Sequence, residues 1–225
     1  MKTTFAVLLV AFAVLAFAAV LLPLAGGTLH DALRDHTTEQ FRVMRLLLMH
    51  ACPGEPVLDG TALAVFRPAA YRYGVLMTGV REWIARGVIP EEQIEEDLRR
   101  ARARIAYRDR RLRGLVGPVA DFLTRHYVAT PEGILVAGAA IPVPGGPGGG
   151  RAYVDLLVTG PYRFTADRGI AVDVDRIGVR RGWVRLEAGR HEVTWTGPPG
   201  TISLVAATCP ERRALTGAVN RLTAP

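Results

Sequence analysis

The stretch "GILVAGAAIPVPGGPGGGRAYVDLLVTG", residues 133–160, marks a change in the texture of the chain and decides how its second half is read. Residues 133–143 are an apolar run of strand length, Pro144 to Gly150 cannot support regular structure, and residues 152–160 open a second run. Beyond them lie "YRFTA", "IAVDVDRIGV", "WVRLEAG", "HEVTWTG" and "TISLVAA". These short runs, rich in β-branched and aromatic residues and parted by Gly, Pro and Asp, predict a small antiparallel β-sandwich. Ile170, Val172 and Val174 alternate with Ala171, Asp173 and Asp175, which gives one buried and one wet face. Leu186 and Val193 flank an expected hairpin at Gly189-Arg190, and a short helix from Glu211 to Leu222 closes the chain.

Upstream the texture is helical. One helix is expected from about Thr28 to His50, ended by Cys52-Pro53-Gly54-Glu55-Pro56. Val57-Leu58 and Ala62 to Phe66 read as two extended pieces around a turn at Asp59-Gly60, and Tyr71 to Arg86 reads as a helix stopped by Gly87. Pro90 starts a strong helix with acidic opening turns (Glu91, Glu92, Glu95, Glu96, Asp97) that continues into Arg99, Arg100, Arg102, Arg104 and Arg108. Leu115 to His126 makes another short one.

Residues 5–22, "FAVLLVAFAVLAFAAVLL", are apolar without a break, close to the ~20 residues a helix needs to cross a bilayer. A cleavable signal is the rival reading, but its core is ordinarily ~7–15 residues and ends in a small-residue cleavage site. Lys2 precedes the run while Asp31, Arg34 and Asp35 nearly cancel after it, so the positive-inside bias places the bulk of the chain outside the cytoplasm, single-pass in an inner membrane. The expected fold is therefore α+β in three parts: a transmembrane anchor at 1–27, an α-rich juxtamembrane domain at 28–132, and a β-sandwich-like domain at 133–225 with a Gly/Pro-rich loop at 144–150.

The net charge is +7 in 225 residues, and Lys2 is the only lysine, so the positive charge is arginine. Arginine pairs bidentately with carboxylates and phosphates, but no groove-reading or RNA-binding motif accompanies it, and no nucleic-acid partner is inferred. Arg108, Arg110 and Arg111 form a candidate dock for phosphates or anionic headgroups; helix electrostatics explains the same charge order without a ligand. Cys52 and Cys209 allow two readings, one long-range disulfide or two buried thiols.

Catalytic equipment is sparse. Ser203 lies in an apolar run with no placed base, "PGGPGGGR" lacks the G-K-[ST] of a P-loop, and His50 near Cys52 falls at a helix end. Asp173-x-Asp175 has the form of a metal-binding pair and equally that of ordinary alternation, and His191 sits in an alternating strand. Asp59, Asp109, Asp121 and Glu132 can be paired for glycoside hydrolysis only by a fold that the sequence does not specify. No metal, cofactor or catalytic residue is expected. Tyr162, Trp183 and Trp195 are stacking candidates for a sugar.

The order of segments carries a resemblance: an apolar helix, "EQFRVMRLL" (Glu39–Leu47), "PGEPVLDG" (Pro53–Gly60), "FRPAAYRY" (Phe66–Tyr73), "YRDRRLRGL" (Tyr107–Leu115), "FLTRHY" (Phe122–Tyr127), then a β module. It resembles the carboxy-terminal extracytoplasmic region of polytopic bacterial membrane glycosyltransferases, the group of aminoarabinose transferases and protein mannosyltransferases that use polyprenyl-phosphate-linked sugars. The resemblance implies that Arg67, Tyr71 and Tyr73 order an extracytoplasmic cap and, with Asp59, contact a glycan or a polyprenyl-phosphate headgroup, with a polytopic transferase as partner. The family's catalytic carboxylate lies in an early loop between membrane helices, and this chain has one such segment. A non-catalytic accessory, or a detached terminal region, is the expectation.

Overall fold

The computed structural model describes residues 37–60, 66–71, 82–84, 86–108, 112, 117–144, 149–179 and 182–222. The apolar segment 5–22 and most of the expected helix at 71–86 lie outside them. The chain divides into two compact units, Met1–Arg42 and Val43–Pro225. Among the described residues no helix is long and apolar enough to cross a membrane.

The regular elements are α1 (Thr37–His50), β1 (Val57–Asp59), α2 (Glu91–Ala101), β2 (Ile105–Tyr107), α3 (Pro118–His126), β3 (Tyr127–Ala129), β4 (Leu135–Val143), β5 (Gly150–Leu156), β6 (Gly160–Ala166), β7 (Ala171–Val174), β8 (Ile177–Gly178), β9 (Gly182–Leu186), β10 (Gly189–Thr196), β11 (Gly200–Ala206) and α4 (Cys209–Leu222). The protein is thus mixed α+β. One sheet runs β1-β2-β4-β11-β6-β9 with β3 also on β4, and a second runs β5-β10-β7-β8. Apart from the parallel β1–β2 pair, neighbours are antiparallel. Leu204, Ile202 and Phe164 from the first sheet and Val193, Val174 and Leu156 from the second belong to one continuous hydrophobic core.

Backbone approach sets one position in that core. A Cβ on Gly138 would sit 2.1 Å from the Leu204 carbonyl oxygen, so β4 and β11 can pair this closely only with glycine there.

Several expectations change. The strong helix stops at Ala101 instead of continuing through Arg104 and Arg108, because Arg102 takes a left-handed backbone (φ 50°, ψ 42°) and the next residues are buried and paired as β2 between β1 and β4. The Gly189-Arg190 hairpin does not form. β9 pairs with β6 and β10 with β5 and β7, so this connection crosses from one sheet to the other, and Gly189 lies inside β10. The run at 170–179 is two strands; Asp175 and Arg176, both at positive φ, make the two-residue turn between them. Asp59 is the last residue of β1, beside Tyr107, and the expected turn follows it at Gly60. The division at 132/133 falls within a sheet, since β2 and β3 pair with β4 across it.

Alternation in β7 matches expectation: Val172 and Val174 are buried, Ala171 and Asp173 exposed. At the chain's far end, Thr208 and Glu211 form the carboxylate half of a capping box for α4. The Glu211 carboxylate accepts from both the Thr208 backbone N–H and its hydroxyl at 2.8 Å, which satisfies donors a helix start leaves open.

Candidate functional site

The sequence-nominated residues fall into separate neighbourhoods. Arg67 is a structural clamp: its Nη2 donates to the carbonyls of Leu48 (3.2 Å) and Ala51 (3.1 Å), the orphan acceptors where α1 ends. Tyr71 is buried, and Asp59 is only 4% exposed. They lie at matching positions on neighbouring segments, because Val57 bridges Ala69 in parallel and each is two residues further on. Arg108 follows β2 and is exposed. Tyr73, Arg110 and Arg111 lie outside the described residues.

Close to Arg67, Cys52 and Cys209 are joined as a disulfide with a sequence separation of 157. The bridge ties the end of α1 to the start of α4, and the chain has no free cysteine. The Glu55 carboxylate stabilises the same corner. It accepts the Cys52 N–H at 2.8 Å and a hydrogen bond from Arg212 at 2.6 Å, and stands 3.7 Å from Arg104. Arg104 is buried, and burial and then the neighbouring Arg212 charge hold its guanidinium below the usual value. The paired Glu55 carboxylate offsets part of that cost.

The aromatic candidates separate by strand parity. Tyr162 is fully buried, donates to the Val158 carbonyl at 2.6 Å, and burial pushes its phenol up to about 12. Trp195 is 8% exposed and lies against Gly150, where any Cβ would meet its indole at 2.4 Å. Neither offers a ring face to a sugar. Trp183, on β9, is 40% exposed.

Trp183 lines a cleft of about 500 Å³ with Pro161, Val184, Arg185, Arg212, Leu215 and Thr216, between the β6–β9 edge of the first sheet and α4. Parity puts Trp183 and Arg185 on one face of β9, opposite buried Leu186 and half-buried Val184. Among the described residues, every charged side chain in the lining is an arginine. Arg212 is engaged by Glu55, whereas Arg185 has no carboxylate partner among the described residues. Arg163 above it pairs with Glu211 at 3.3 Å, which fixes α4 over the sheet. The sequence reading nominated Trp183 and missed Arg185 and Arg212. The i, i+2 spacing of Trp183 and Arg185 was the available signal for the first; Arg212 comes from a distant helix and had none.

Two histidines are placed by hydrogen bonds. His126 is buried, with Nδ1 2.7 Å from the Asp155 carbonyl and Nε2 3.4 Å from Arg99, so a neutral ring donates from Nδ1 and accepts at Nε2. Burial is the main cause that holds it below the ordinary imidazole value, with the Arg99 and Arg125 charges adding to it. His191 bonds the Asp175 carboxylate at 2.6 Å and the Glu187 carbonyl at 2.8 Å. Burial resists ionisation of Asp175, yet hydrogen bonds from His191 and the Glu192 N–H hold its carboxyl below the usual range. Asp175 thus fastens its own turn to β10, while Asp173 faces solvent on β7. Among the described residues no group of three or more His, Cys, Asp or Glu side chains is arranged to hold a metal. No protein-family profile, curated protein or solved structure matches the chain.

Proposed function

We propose that the chain is a membrane-anchored extracytoplasmic protein, single-pass through its apolar segment 5–22, whose body packs its two sheets as a β-sandwich. It acts as a non-catalytic accessory, or detached terminal region, of a cell-envelope glycosyl-transfer system. The observation that carries this reading is the Cys52–Cys209 disulfide, since such bridges persist in oxidising compartments outside the cytoplasm. The test is twofold. A cysteine placed at exposed Arg168 is expected to react with a membrane-impermeant maleimide in intact cells after the outer envelope is opened; reaction only after full lysis overturns the topology. The full chain purified in mild detergent is expected to bring a polytopic glycosyltransferase with it in near-equal amount, and its absence from repeated purifications overturns the accessory role.

A stand-alone binding module is the second reading. The exposed indole of Trp183 beside two arginines favours it, because an aromatic face with a few convergent polar groups is the usual form of a saccharide or small-molecule site.

A further inference from the structure

We propose that the Trp183 cleft binds a carboxylate-bearing pyranose, a uronic acid unit of an acidic saccharide. The proposal rests on the binding-module reading and names its ligand class.

The cleft is chemically two-sided. Pro161, Leu215 and the exposed indole of Trp183 form an apolar wall, against which the C–H face of a sugar ring can stack. Among the described residues the charged lining is arginine only. Same-face neighbours on a strand are about 7 Å apart, so the Arg185 side chain reaches over a ring stacked on Trp183. Arg212 already holds Glu55 at 2.6 Å. That leaves one planar guanidinium fork, Arg185, for the ligand, and one planar carboxylate is its bidentate counterpart. A phosphate monoester carries ≈ −1.5 to −2 charge and would leave charge unmatched in the same lining. Thr216 also lines the cleft, and because its hydroxyl donates to the Arg212 carbonyl at 2.9 Å, its oxygen keeps acceptor capacity. A volume of about 500 Å³ lies within the range of small-molecule sites.

The full chain in mild detergent is titrated calorimetrically with trigalacturonate, maltotriose and glucose 6-phosphate. Trigalacturonate is expected to bind at least ten-fold more tightly than maltotriose, with the preference shrinking as salt rises. Arg185→Ala abolishes the preference for the acid, Arg185→Lys restores part of it, and Trp183→Ala weakens trigalacturonate ten-fold or more. Both side chains face solvent, and an unchanged urea midpoint shows that the variants fold. Equal affinity for the acidic and neutral trisaccharides, tighter binding of glucose 6-phosphate, no binding of any probe, or full binding by Trp183→Ala each overturns the proposal. These failures are separable from failure of the underlying reading. Maltotriose bound as tightly as trigalacturonate loses the acidic ligand class and keeps the binding module, whereas no binding of any probe loses the binding module as well.

Discussion

Replacing Cys52 and Cys209 by serine, singly and together, measures how much of the fold's stability depends on one covalent bond. The bridge closes a loop whose ends are 157 residues apart. In the chain-entropy account, a loop of that length restricts the unfolded ensemble by about 5 kcal/mol at room temperature, near the top of the range for single disulfides. With a urea slope of about 2 kcal/mol/M, loss of the bridge lowers the unfolding midpoint by roughly 2.5 M. The assay is urea unfolding followed by tryptophan fluorescence, with and without dithiothreitol, in detergent. Because either serine breaks the same bond, each single variant should match the double variant and the reduced wild type. Single-variant losses that add up to the double-variant loss, or a wild-type midpoint indifferent to reductant, would refute the reasoning, since that is how two separate buried thiols behave.

Other outcomes follow from packing and protonation. Gly138→Ala drives a methyl group into the Leu204 carbonyl and should cost about 3 kcal/mol or more, read as a lowered melting temperature. Leu204→Ala, in the fully buried core, should cost about 2–5 kcal/mol, whereas Trp183→Ala on the surface stays within about 0.5 kcal/mol in the same melts. Arg67→Met removes charge-assisted bonds to the end of α1 and should cost about 1–3 kcal/mol without changing saccharide binding. His126 is held below its ordinary pKa of ~6.5 by burial, so the unfolded chain binds its proton first as pH falls. Its contribution is complete above that value and declines as pH drops from it towards the folded-state pKa. His126→Gln should flatten this part of a melting-temperature profile between pH 8 and 5, and an unaltered slope would count against the buried neutral ring.

What the sequence revealed follows local periodicity. In β7 each side chain's face is fixed by strict alternation, so Val172 and Val174 could be placed inside from the letters alone. Parity in "HEVTWT" also carried the fate of Trp195, which shares its face with buried His191 and Val193. Strand parity here outweighs the stacking role that an indole alone suggests. The end of α2 was illegible because Arg99 to Arg104 are good helix formers, and the stop is made by an arginine in a left-handed conformation without glycine or asparagine to announce it. At Gly189 a turn-forming residue sits in a strand, after a connection that changes sheets, and only the pairing of β9 with β6 distinguishes this from a hairpin. The cleft was half legible. Trp183 and Arg185 are two letters apart on one strand, but Arg212 reaches them through α4, placed by the Glu211 cap and a disulfide whose partner is 157 residues away.

The sulfur bridge also determines how the body responds to mechanical load. If tension enters just before Cys52 and leaves just after Cys209, the shortest covalent path runs through two side chains and bypasses the intervening backbone. Rupture of the β4–β11 or β5–β10 ladder then adds no length between those points, so a tug on the body through α1 is borne by one covalent bond while the sheets carry none of the force.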